Sequence, residues 1–202
     1  MRILRLIPAL AVVIFANAAH AQSWDVFTNQ ENFFTANFPG TPAQTKAPYK
    51  TLKGVELGAN VFTVRVPAGR LAGTYSISVV DYSKAPGEIN TATEQAGNVV
   101  RKLGTVKYDA IENLDLHATR RLTVETGATR ILAEILFAAN NRLYISQADT
   151  PFASASPAQF QASLQILDDN GVRIRYRTVE AAKAGEIVPV TDAAREIGRA
   201  HV

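Results

Sequence analysis

The chain has 202 residues, 21 Lys and Arg against 18 Asp and Glu, a formal charge of +3 and no cysteine. Without cysteine there are no disulfide staples, so an apolar core must hold the fold. The charge is spread along the chain rather than gathered in a basic stripe, which excludes nucleic acid as an expected partner.

Arg2 and Arg5 precede an apolar run from Leu6 to Phe15, and Ala19-His20-Ala21 supplies a small-x-small cleavage pattern. Residues 1–21 therefore read as a signal peptide, with the mature chain beginning at Gln22 in the periplasm or outside the cell. A run of about ten apolar residues is too short to cross a bilayer, so the mature chain is expected to have no membrane span. Losing Arg2 and Arg5 takes the 21 basic side chains to 19 against 18 acidic ones, close to neutral. The mature chain is long enough for one domain with its own core, placed at residues 22–177, followed by a tail at 178–202.

Trp24 opens an aromatic stretch in which Phe34, Ala36 and Phe38 alternate with Thr35 and Asn37. That period of two predicts a strand with one face on a core, stopped at Pro39-Gly40. Residues 43–53 read as an irregular or edge segment. Strands are predicted at 59–66, with Phe62, Val64 and Val66 inward, and at 74–82, with Tyr75, Ile77 and Val79 inward. A helix is predicted at 91–103, where Thr91 and Glu94 have capping-box spacing and Ala92, Ala96, Val99, Val100 and Leu103 form one stripe. Arg101 falls on its solvated face and Gly104 at its C-terminal end. Strands follow at 109–117, 120–126, 130–138 and 142–148, of which the apolar run Ile131–Phe137 reads as central and covered on both sides. Ser156-Pro157 opens a second predicted helix carrying Phe160, Leu164 and Leu167. Asp168-Asp169-Asn170-Gly171 ends it, and a strand Val172–Arg177 precedes the Ala- and Gly-rich tail.

Trp24, Phe33-Phe34, Phe38-Pro39-Gly40-Thr41-Pro42, the helix near 91–103, Asn141-Arg142-Leu143-Tyr144 and Phe160–Leu164 together resemble a group of uncharacterised exported bacterial proteins. That group is similar to the PsbP-like α/β sandwich, named for an extrinsic subunit of photosystem II. The resemblance covers residues 24–168. It implies an antiparallel sheet packed with two helices, an α+β fold, and a non-catalytic binding or assembly role. It brings no catalytic motif and no photosystem-docking feature.

The residues themselves carry little catalytic equipment. There is no G-x-S-x-G elbow, phosphate-cradling glycine loop or H-E-x-x-H, and no cofactor or metal is expected. Asp115, His117 and Thr119 share a strand face by parity, but i, i+2 neighbours stand too far apart for a triad. Arg173, Arg175 and Arg177 form a row that either receives an anionic ligand or guards an edge strand. Register counting adds a second row. If Asn140-Asn141 is a two-residue turn, Glu134 lies opposite Gln147; if Gly127-Ala128 is the preceding turn, Glu134 lies opposite Arg121. If Thr126-Gly127 is that turn instead, a choice chemically at least as good, Arg121 is diagonal to Glu134 and still within reach. Arg121, Glu134 and Gln147 are then either a satisfied structural network or the floor of a pocket that offers Arg121 to an anion. The sequence thus reads as an exported, non-enzymatic binding or accessory module for a small ligand or an envelope protein. Alternatives are a hydrolase-like enzyme with an unrecognised carboxylate site, or an interaction subunit of a cell-envelope complex.

Overall fold

A computed structural model describes residues 23–115 and 117–174. The predicted signal peptide, Arg175, Arg177 and the predicted tail lie outside them. Ten strands form two antiparallel sheets. The larger contains β3 (Ala43–Lys50), β4 (Glu56–Val66), β5 (Gly73–Asp81), β6 (Thr105–Leu114), β7 (His117–Glu125), β8 (Thr129–Ala138) and β9 (Arg142–Pro151), in the order β3-β4-β5-β9-β8-β7-β6. The smaller contains β1 (Asp25–Asn29), β2 (Phe34–Phe38) and β10 (Gln165–Ile166), in the order β1-β2-β10. One helix of several turns, α1 (Ile89–Arg101), covers β7, β8 and β9 on the opposite face.

The expected α+β sandwich with two packed helices is therefore corrected. Strands take 54% and helices 13% of the described residues, and only α1 is a helix of any length. The predicted second helix is a single turn, α2 (Ala158–Gln161). Its end is chemical: Ser163 Oγ donates to Phe160 O (2.8 Å) and accepts from Asn37 N (2.9 Å), which draws the chain toward β2. Gln165 and Ile166 then pair with Thr35 and Phe34. Phe160, Leu164 and Ile166 are buried, but through one turn and a short strand, an arrangement the helical spacing cannot distinguish from a helix.

Two cores flank the large sheet. Between the sheets lie Phe34, Phe38, Phe62, Tyr75 and Phe160, all fully buried. Their rings meet edge to face, Phe34 with Phe62 at 5.0 Å and Phe38 with Phe160 at 5.1 Å between centroids. Each such ring contributes about 1.5–3 kcal/mol of burial. Trp24 is only partly buried at the margin of this core, and Phe137, at the end of the apolar run read as covered on both sides, is only partly buried at the margin of the core under α1. The second core joins Ala92, Ala96 and Val100 of α1 to Leu122, Ile135 and Leu143 of the sheet beneath it. Val99 and Leu103, placed on the buried stripe by periodicity, are 60% and 46% exposed.

Two side chains pin α1 to the β3–β4 turn. Buried Glu88, at the helix N-cap, accepts from Thr51 Oγ1 (2.6 Å) and Lys53 N (2.8 Å). Gln95 accepts from Leu52 N and donates to Lys50 O. The expected Thr91–Glu94 capping box does not form, because the helix starts earlier and Glu94 is bonded elsewhere. Gly104 has a reason other than a left-handed cap: a Cβ there would sit 2.2 Å from Glu125 O.

Candidate functional site

The predicted polar row is partly assembled. Gly127-Ala128 is the β7–β8 turn, with Thr126 N bonded to Thr129 O, and Arg121 pairs directly with Glu134. Glu134 is fully buried, and its Oε2 accepts from Arg121 Nη2 (3.0 Å) and Nε (3.3 Å). Arg121 Nη1 also meets Glu112 Oε2 (2.7 Å), whose other oxygen accepts from Tyr108 Oη (2.6 Å). Burial pushes the Glu134 carboxyl above its ordinary value, with Arg121 acting against that. Arg121 thus lies between two carboxylates, and an incoming anion would have to displace one of them.

Gln147 does not join this row. The β8–β9 connection has three residues rather than two, with Ala138 paired to Arg142 and Asn141 left-handed at φ 59°. A type I turn followed by a left-handed residue is the common three-residue hairpin, and the one-residue slip sends every β9 side chain to the face opposite to that expected. Glu134 accordingly faces Ser146, and Gln147 faces Ala133.

The other candidates are committed within the fold. Asp115 sits in the β6–β7 turn at φ 53° instead of on a strand face, and binds Arg173 through Nε (2.9 Å) and Nη2 (3.0 Å). His117 is held below its ordinary value by burial. Arg101, expected in solvent, bonds Asp109, Glu94 and Asn98. Arg120 joins that cluster through Asp109 and Glu94 beneath Gly97, whose missing side chain leaves room for the Arg120 stem. Asp168 Oδ1 accepts from Asn170 N and Val172 N, which makes its acidic run a capped turn.

A cleft that sequence reading missed lies at one end of the sandwich, where the β1–β2 and β8–β9 turns meet. Asn29 Oδ1 accepts from Asn32 N and Nδ2, both at 2.9 Å, curling the first turn. Asn32 is buried; its Oδ1 accepts from Asn60 Nδ2 (2.9 Å) and its carbonyl from Tyr144 Oη (2.9 Å). Asn140 Nδ2 donates to the same Tyr144 oxygen (3.0 Å). These bonds tie both turns to the large sheet.

They also place Phe33, at φ 54°, beneath Arg142, whose guanidinium carbon lies 4.6 Å from the ring centroid. Left-handed Phe33 and left-handed Asn141 thus frame one contact; backbone strain of this kind persists only where the surroundings impose it. The Arg142 guanidinium makes no hydrogen bond or ion pair among the described residues. It lines a cleft of about 200 Å³ with Asn32, Asn60, Glu31 and Asp81 over a floor of Val79. Asp81 uses Oδ1 to accept from Ser83 N and Oγ, bonds that hold its carboxyl below the ordinary range. Gly58 opens the cleft: a Cβ there meets nothing within 4 Å, and a second hollow of about 240 Å³ continues past it. A stacked guanidinium with unused hydrogen-bond donors, on a small polar space that it shares with Glu31 and its cross-strand neighbour Asp81, suits a ligand that carries an anionic group.

Among the described residues no three His, Asp or Glu side chains come together as a metal site. No helix among them is long and apolar enough to cross a membrane. No family model, curated protein or solved structure matches the chain.

Proposed function

We propose that this protein is an exported, non-enzymatic binding module whose end cleft receives a small ligand through an anionic group at Arg142. One observation carries the reading: Arg142 is stacked on Phe33 between two left-handed residues, with donors that nothing in the described fold uses. Burying a guanidinium's flank on an aromatic ring orients it without engaging its hydrogens. Asp81, the cross-strand neighbour of Arg142, and Glu31, which lines the same cleft, favour a ligand that also has a cationic or hydrogen-bond-donating end. Export rests on the basic, apolar and small-residue order of residues 1–21.

Native mass spectrometry of protein purified from its own periplasm tests this directly. A small molecule should accompany the wild type and be lost from both Arg142→Met and Gly58→Leu. Gly58→Leu fills the cleft without touching a cleft hydrogen bond. No bound molecule in the wild type, or its retention in both variants, overturns the reading.

A further inference from the structure

The two edges of the large sheet are defended unequally. Edge strand β3 carries exposed Pro48, Lys46 and Lys50, which deter pairing with another chain. The opposite edge, β6, has no proline. Its one lysine, Lys107, sits in the β-bulge between Val106 and Tyr108 and is turned to Glu125 at 3.1 Å. From Tyr108 to Leu114 the ladder is regular, and then Asp115 turns the chain. That clean run has Ile111 at its centre, and Ile111 is 71% exposed, with Tyr108 at 45%. No described strand covers this edge. An uncovered edge whose regular run holds no lysine or proline and has a large exposed apolar centre is a template for a further strand.

We infer that β6 pairs antiparallel with β6 of a second copy of this chain, about a two-fold axis at Ile111. Such an axis, perpendicular to the sheet, keeps corresponding faces of the copies aligned and must pass through a residue paired with itself. The side chains choose which residue. Centring on Asp109 or on Glu112 sets that carboxylate against its own copy, and centring on Ala110 sets Ile111 against Asp109. Centring on Ile111 sets Ile111 against Ile111, Tyr108 against Leu114, Asp109 against Asn113 and Ala110 against Glu112. This register uses the whole regular run, opposes no like charges and covers the exposed isoleucine. The proposal is independent of the end cleft, which lies elsewhere on the molecule.

Because the chain has no cysteine, an introduced one reports on a single position. Ile111→Cys should crosslink to a disulfide dimer under mild oxidation, since residues paired about the axis lie within bridging distance. Val26→Cys, at a site 75% exposed in the other sheet, should stay reduced. In sedimentation velocity the full chain should run at twice its single-chain mass, and Ile111→Lys should return it to one chain with unchanged circular dichroism. A single-chain species throughout the micromolar range overturns the proposal, and protection of β6 amides by residues 175–202 of the same chain would be one such case. So does a dimer that Ile111→Lys leaves intact, or equal crosslinking at the two cysteine positions.

Discussion

Arg121 and Glu134 stand directly opposite each other on β7 and β8, joined at 3.0 Å through Glu134 Oε2, while Oε1 of the same carboxylate has no hydrogen-bond partner among the described residues. Half of a fully buried carboxylate is thus compensated by a guanidinium and half by nothing in view. Across the next strand pair lies Ser146, also buried with an unpartnered hydroxyl. This explains why burial dominates the titration of Glu134 despite its cation.

The first prediction follows from that upward shift. A folded-state pKa above the ordinary 4.5 means that Glu134 contributes most to stability below that value, and the contribution is lost as pH rises through the folded pKa. The stability of the wild type relative to Glu134→Gln should therefore be greatest in acid and decline toward neutrality. Urea midpoints of both proteins across that range measure it, and a difference that grows with pH would refute it.

Glu88 should behave in the opposite sense. Hydrogen bonds from Thr51 and then Lys53 N hold its carboxyl below 4.5. Its contribution is present above the ordinary value and is lost as pH falls through the folded one. Glu88→Gln should thus cost most near neutrality and least in acid. Faster amide exchange at residues 51–55 should accompany it, because the β3–β4 turn loses its anchor to α1.

The inter-sheet core sets the third expectation. Phe160 is fully buried against Phe38 and Tyr75, so Phe160→Ala should cost about 3–5 kcal/mol in a urea melt. Phe137, half-buried at the margin of the α1 core, should cost clearly less on the same substitution. Equal losses would show that the inter-sheet layer is loosely packed.

Two glycines should diverge. Gly104→Ala forces a methyl group toward Glu125 O, and relief requires a backbone shift costing about 1–3 kcal/mol. Gly58 lies in a strand with open space at its Cβ position, so Gly58→Leu should leave stability unchanged or raise it by about 0.5–1 kcal/mol. Paired thermal melts distinguish them.

What could be read from the sequence was local and periodic. The alternation of Phe34, Ala36 and Phe38 and the doubly apolar β8 place their residues correctly, because each depends on neighbours in the chain. The turn before β8 is open in the sequence between Thr126-Gly127 and Gly127-Ala128, and the second is the one that forms. The Asn140-Asn141 turn was visible as a turn but not as a three-residue one, since asparagine suits either; that single ambiguity moved Gln147 to the wrong face. The second helix failed because Phe160, Leu164 and Leu167 satisfy a helical period equally well when Ser163 breaks it. The Phe33–Arg142 contact had weaker signals still. Phe33 and Phe34 are adjacent, so one of them had to leave the core face, and Arg142 follows a turn asparagine; nothing local says that the two meet.

The small sheet is closed by β10, which pairs with β2 from the other end of the described chain. During synthesis, the first two strands emerge long before the segment that completes their layer. Until residues 160–166 arrive, the part of the inter-sheet core that Phe160, Leu164 and Ile166 cover, around Phe38 and Tyr75, is open to water and to other chains. Closing that distance in sequence is slow, because the entropy of the long loop must be overcome before any contact rewards it. The most aggregation-prone moment in the life of this protein is therefore the interval just before its last short strand docks, and a holding chaperone would act on that surface.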